Sequence, residues 1–224
     1  MTLPRCAAPQ PSFRLIPSRY PPVDAFDQVT TAEDAAAVME LEGWTNDRLV
    51  KSRLERLPRA EWVFGRANAS VVMASFLHPP PTGSRFAGPE LGAWYASAAL
   101  TTAIFEVAHH LRRESVARGI PGTTRIFRSY TARLDGEYED ARAAGRAELY
   151  DAADYSAGQV FGENVRATGG NGIVYGSVRH VGGTNVVAYR PTLIVDVAQS
   201  EHFEIIVPVA GRLAARRLGM TAQP

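Results

Sequence analysis

The spacing of apolar positions along the chain changes several times, and each change marks an element. Residues 1–11 are rich in proline and alanine and are expected to be a flexible N-terminus, after which Phe13 to Ile16 can open a strand. Thr30 followed three residues later by Glu33 forms a capping box for a helix running to about Glu42, where Gly43 can end it. A second helix is expected from Thr45, with Leu49 and Leu54 on its apolar side and Pro58 closing it. The segment from Val71 to Leu77 reads as a strand, cut by the prolines at 79 to 81.

Beyond the prolines, the turn-rich segment from Gly83 to Pro89 precedes a short apolar strand, Ala93 to Ala96. Ser97 is positioned to cap the following helix, whose stripe is Leu100, Ile104, Val107, Ala108 and Leu111. Glu106 lies on a flank of that helix, with Thr102 four residues before it and His110 four after. Further strands are expected at Thr124–Leu134, Gly172–Val178, Asn185–Tyr189, Leu193–Val197 and Glu204–Val209, with a helix near Tyr155–Ala167. Helices early and strands late predict an α+β fold, because a doubly wound sheet would need regular βαβ alternation. The 224 residues are expected to form one domain: a flexible 1–11, an elaborated helical lead-in over 12–75, a core over 75–200, and a C-terminal strand and tail over 201–224.

Composition narrows the classes. With 46% hydrophobic and 21% charged residues the chain can bury a core without disulfides, and the lone Cys6 allows neither an internal bridge nor a cysteine-based zinc site. That points to a reducing compartment, with the cytoplasm as the expected location. A net charge of +1 supplies no global field for nucleic acid, and no apolar run is long enough to span a membrane. Lys51 is the sole lysine; every other basic residue except histidine is arginine, whose planar fork suits phosphate and carboxylate.

Several chemistries drop out on their motifs. No GxxxxGK[ST] phosphate loop exists, and Gly169, Gly170 and Gly172 lack the strand-to-helix GxGxxG context. Glu106 and His109 have the spacing of a carboxylate-bridged metal pair, but such centres need two pairs, so no metal is expected. Ser177 could act as a nucleophile with His180 or His202 as base and Asp196 as orienter, although the GxSxG elbow is absent. That serine-hydrolase reading stays open.

One constellation remains. Arg85 in a glycine-rich loop, Tyr95 ending a short strand and Glu106 in the next helix fall ten and eleven residues apart, a spacing that can set all three around one cleft. Gly83-Ser84-Arg85-Phe86, Tyr95-Ala96-Ser97, Glu106 and His109, joined by Gly172 through Arg179 and by Asn185, resemble the RES domain family over about residues 75 to 200. Phe13-Arg14-Leu15 through Ser18-Arg19-Tyr20 is similar to that family's opening strand. The departures are Ser84 and Phe86 where the family has glycine and tryptophan, and a longer 31–75 segment.

The resemblance implies a fold similar to ADP-ribosyltransferase toxins, with a mixed or antiparallel sheet flanked by helices. It implies the toxin of a bacterial toxin–antitoxin module, paired with an Xre-type helix-turn-helix antitoxin, that consumes NAD+ as a substrate. In that reading Glu106 stabilises the oxocarbenium-like ribose as nicotinamide leaves. Arg85 binds pyrophosphate or ribose, Tyr95 stacks on nicotinamide, and Ser177 and Asn185 complete the NAD+ site. Water, phosphate or a protein side chain can accept the ADP-ribose. A chain that keeps the fold only to bind its antitoxin, without catalysis, is the other open reading.

Overall fold

In a computed structural model, described over residues 3–20, 24–45, 57–143 and 145–219, the chain builds a nine-stranded sheet with helices on both faces. In chain order the elements are β1 (Arg5–Ala7), β2 (Ser12–Pro17), α1 (Ala32–Thr45), α2 (Ala69–Leu77), β3 (Trp94–Ser97) and α3 (Leu100–Arg118). There follow β4 (Gly122–Leu134), β5 (Glu137–Asp140), α4 (Ser156–Ala167), β6 (Gly172–Gly176), β7 (Thr184–Ala188), β8 (Ile194–Pro208) and β9 (Ala214–Leu218). The strand order is β1-β5-β6-β7-β3-β2-β4-β8-β9, and every pairing is antiparallel except β5 with β6. The fold is α+β, as the run of elements predicts.

The central strands are buried on both faces. On one side Trp94, Ala96, Val174, Val186 and Ala188 pack against Val72, Met73, Phe76 and Leu77 of α2. The other side is divided. Ile173, Tyr175 and Val187 meet Phe86, Leu149 and Val165, whereas Ala103, Ala108 and Leu111 of α3 cover Leu15, Phe127, Phe203 and Ile205. α3 and α4 therefore share the sheet face to which Tyr95, Ser97 and Asn185 belong, since side chains alternate along each strand.

Four expectations need correction. Residues 71–77 are helical: Ala69, Val72, Met73, Phe76 and Leu77 make a stripe at helical spacing, and burying it outweighs the strand preference of two valines. The helix is capped from a distance, because the Asp27 carboxylate accepts from the N–H groups of Asn68 and Ser70 at 2.6 and 2.7 Å. The N-terminal segment is not wholly flexible, since Arg5–Ala7 pairs with Glu137–Glu139 and Arg5 Nε donates to Glu139 at 3.1 Å. The capping contact of α1 falls one residue later than Thr30, between Thr31 Oγ1 and both the N–H and the carboxylate of Asp34. The two late strands at 193–197 and 204–209 are one, β8, with Asp196 at φ +51 where its pairing with β4 shifts register. The helix expected between Thr45 and Pro58 lies outside the described residues.

Candidate active site

Glu106 projects from α3 toward the ends of β6 and β7, where two side chains grip one of its oxygens. Ser177 Oγ donates to Glu106 Oε1 at 2.6 Å, and Asn185 Nδ2 donates to the same atom at 2.7 Å. Asn185 is 2% exposed, and its Oδ1 accepts from Ser97 Oγ at 2.7 Å. That last bond runs between directly paired residues on β3 and β7, so sheet register itself orients the amide. It also corrects the expectation for Ser97: the hydroxyl is spent across the sheet, and α3 starts after Ala99 with no side-chain cap. Among the described residues no hydrogen bond reaches Glu106 Oε2. One carboxylate oxygen is fixed and the other is available.

Arg85 sits in the loop before β3. The residue is 9% exposed: Nη1 donates to the carbonyls of Leu149 and Asp151 at 3.0 and 2.8 Å, and the guanidinium lies 4.7 Å from the centre of the Tyr155 ring. Its Nε and Nη2 make no hydrogen bond among the described residues. These are the donors an anionic ligand would find. Tyr95 holds this loop in place, because its hydroxyl takes the Ser84 Oγ proton at 2.7 Å and the Phe86 N–H at 3.0 Å. Burial pushes the Tyr95 phenol up to about 12, against the lowering effects of those two bonds and of Arg85. The contacts seen for Tyr95 thus position Arg85.

Two further residues belong to the cluster. Arg179 donates from Nη2 to the Ala152 carbonyl at 2.5 Å and to Tyr155 Oη at 3.4 Å, on the segment that Arg85 also holds. His109, one turn beyond Glu106 on α3, is held down to about pH 4 by burial first, then by the positive charges of Arg179, His110, Arg113 and Arg85. Its buried Nε2 has no hydrogen-bond partner among the described residues. Arg179 has a sequence signal only within the family-like stretches, and His109 has one there and in its metal-pair spacing from Glu106. Tyr155 carried none, since its role comes from the fold bringing α4 beside the Arg85 loop.

The serine-hydrolase arrangement is not assembled. Ser177 gives its proton to Glu106, while its Oγ accepts from the N–H groups of Arg179 and His180 at 3.1 and 2.9 Å. Asp196 is bonded to Arg133 Nε at 2.8 Å, and His202 lies within β8 opposite Arg128. A carboxylate sits where that reading needs a base. Among the described residues no three His, Cys, Asp or Glu side chains gather to hold a metal, and no helix is long and apolar enough to cross a membrane.

The sequence pattern of the RES domain matches residues 53–207. The chain belongs to the RES domain family. Its structure is similar to the crystal structure of the M. tuberculosis MbcT–MbcA toxin–antitoxin complex, at 14% identity and a TM-score of 0.44, over 70% of this chain and 93% of that one. No curated protein sequence matches the chain.

Proposed function

We propose that this protein is an NAD+-cleaving toxin that breaks the bond between nicotinamide and ribose and passes ADP-ribose to an acceptor. The observation that carries the reading is the carboxylate of Glu106, with Oε1 held by Ser177 and Asn185 and Oε2 without a donor among the described residues. Loss of nicotinamide leaves positive charge on the ribose, and a carboxylate fixed beforehand stabilises that charge without having to reorganise. The open oxygen can also accept from a ribose hydroxyl. Arg85 and Arg179, which now donate to backbone carbonyls, supply guanidinium groups for the pyrophosphate, whose charged oxygens can take paired, parallel bonds from such a fork.

His109, kept neutral by its surroundings, adds no charge beside the developing cation. Tyr95 is assigned to the nicotinamide end, with Ser177 and Asn185 as binding residues. The proposal extends to action in the cytoplasm and to neutralisation by an Xre-type helix-turn-helix antitoxin, as the family resemblance implies.

The test is to incubate purified protein with NAD+ labelled in the adenylate half, with and without cell lysate, and to measure nicotinamide. Release of nicotinamide supports the reading, and the label identifies the acceptor. Label in a protein band indicates ADP-ribosylation, free ADP-ribose indicates water, and its phosphate ester indicates phosphate. No release under any condition contradicts the enzyme and favours a module that only binds its antitoxin.

A further inference from the structure

The turn that delivers Ser177 is anchored to the same helix that carries Glu106. Between β6 and β7 the chain closes on itself: the Ser177 N–H donates to the Gly183 carbonyl at 2.8 Å, and the Gly183 N–H to the His180 carbonyl at 2.9 Å. Ser177 Oγ accepts two backbone N–H groups, from Arg179 and His180, and a hydroxyl has only one proton to give. With both acceptor directions filled, that proton is committed to Glu106 Oε1. The position of the 179–180 backbone therefore sets the direction of the bond.

What fixes that backbone is the His180 side chain. Its ring lies flat on Phe105, with centroids 4.8 Å apart and planes within 8°, and its Nδ1 shares a hydrogen bond with Thr102 Oγ1 at 2.9 Å. Thr102 is 1% exposed. Thr102 and Phe105 lie four and one residues before Glu106, so a single stretch of α3 carries both the carboxylate and the contacts that hold the turn. The fit is close, because a Cβ on Gly183 would come within 2.9 Å of Thr102 Oγ1 and 3.0 Å of His180 Nδ1.

We infer that Thr102, Phe105 and His180 form a positioning clamp for the reaction at Glu106, holding the 177–183 turn so that the Ser177 hydroxyl stays on Oε1. His180 acts through Ser177 and does not itself meet the substrate. This inference rests on the proposed role of Glu106. Loss of the clamp leaves Arg85 and Tyr95 untouched and the Arg179 side chain still anchored to Ala152 and Tyr155, so the chemical step suffers more than NAD+ binding does. A misplacement of about 1 Å in such a constellation can cost on the order of a hundredfold in rate.

The test measures nicotinamide release by the full-length chain for Glu106→Gln, Ser177→Ala, His180→Ala and the Ser177→Ala/His180→Ala double variant. The clamp predicts that His180→Ala lowers kcat by roughly tenfold or more, with KM for NAD+ within about twofold. In the Ser177→Ala background the same change has little further effect, because the group it positions is gone. Thr102→Val reproduces the loss and Thr102→Ser restores most of the rate. This Thr102 pair decides the matter if His180→Ala does not fold.

An unchanged kcat for His180→Ala and Thr102→Val overturns the clamp, as does an equal loss from His180→Ala with and without Ser177. A Glu106→Gln variant that retains full activity overturns the proposed function instead. An inactive Glu106→Gln beside a fully active His180→Ala removes the clamp alone.

Discussion

Asn185 stands between Ser97 and Glu106, accepting from the one and donating to the other, each at 2.7 Å. One buried amide thereby ties β3, β7 and α3 together at the carboxylate. Asn185→Ala strips a partner from both neighbours, and an unsatisfied buried polar group costs about 1–3 kcal/mol. We predict a loss of that size in urea denaturation. Ser177→Ala, at a half-buried position, should lose less stability while losing comparable activity.

Tyr95 is predicted to matter to the loop before it as much as to any ligand. Tyr95→Phe leaves Ser84 Oγ and the Phe86 N–H without their acceptor, which should cost about 1–2 kcal/mol and loosen the segment that carries Arg85. The phenol also gives an alkaline signature. Its folded value of about 12 lies above the ordinary 10, so the folded state holds the proton more tightly. Its contribution is complete below about pH 10 and is lost as pH rises toward 12. Urea midpoints measured across that window should fall less steeply in Tyr95→Phe than in the wild type.

His109 has the opposite sense. Folding lowers its value from 6.5 to about 4, so the unfolded chain takes up a proton first as the pH falls. The stabilising contribution of the neutral ring is present above about pH 6.5 and disappears toward pH 4. Melting temperatures recorded across this range should fall more steeply for the wild type than for His109→Gln.

The approach of α4 to the Arg85 loop gives a packing test. A Cβ on Gly162 would lie 1.9 Å from the Phe86 carbonyl oxygen and 2.4 Å from Tyr189 Oη, which itself donates to that carbonyl at 2.7 Å. Gly162→Ala must push the helix away from the backbone beside Arg85. Overpacking of this kind typically costs about 1–3 kcal/mol. Denaturation should report that loss, and nicotinamide release should fall with it.

How far the sequence anticipated this structure depends on how local each signal was. The stripe of α3 and the apolar runs of β6 and β7 are legible because their spacing and their burial agree. Glu106 stands out in its spacing from Arg85 and Tyr95, Ser177 and Asn185 stand out as binding residues only in the family-like stretches, and the fold joins the three by direct hydrogen bonds across 71 and 79 residues of chain. What misled was local likeness with a distant cause. Val71–Leu77 has strand-forming residues but is capped by Asp27, more than 40 residues away, and the Ser97 hydroxyl turns to Asn185, 88 residues on. The edge strands β1 and β9, and β5 beside β1, are short or charged and gain their structure from their neighbours, which one-dimensional spacing does not encode.

The most direct measurement compares nicotinamide release from NAD+ by the wild type and by Glu106→Gln, with both proteins verified as folded by their melting curves. The substitution keeps the side chain's size and an oxygen to receive Ser177 and Asn185, but removes the negative charge. A catalytic Glu106 predicts a fall on the order of a hundredfold or more in kcat. Equal rates in the two proteins would show that the carboxylate plays no part in the cleavage.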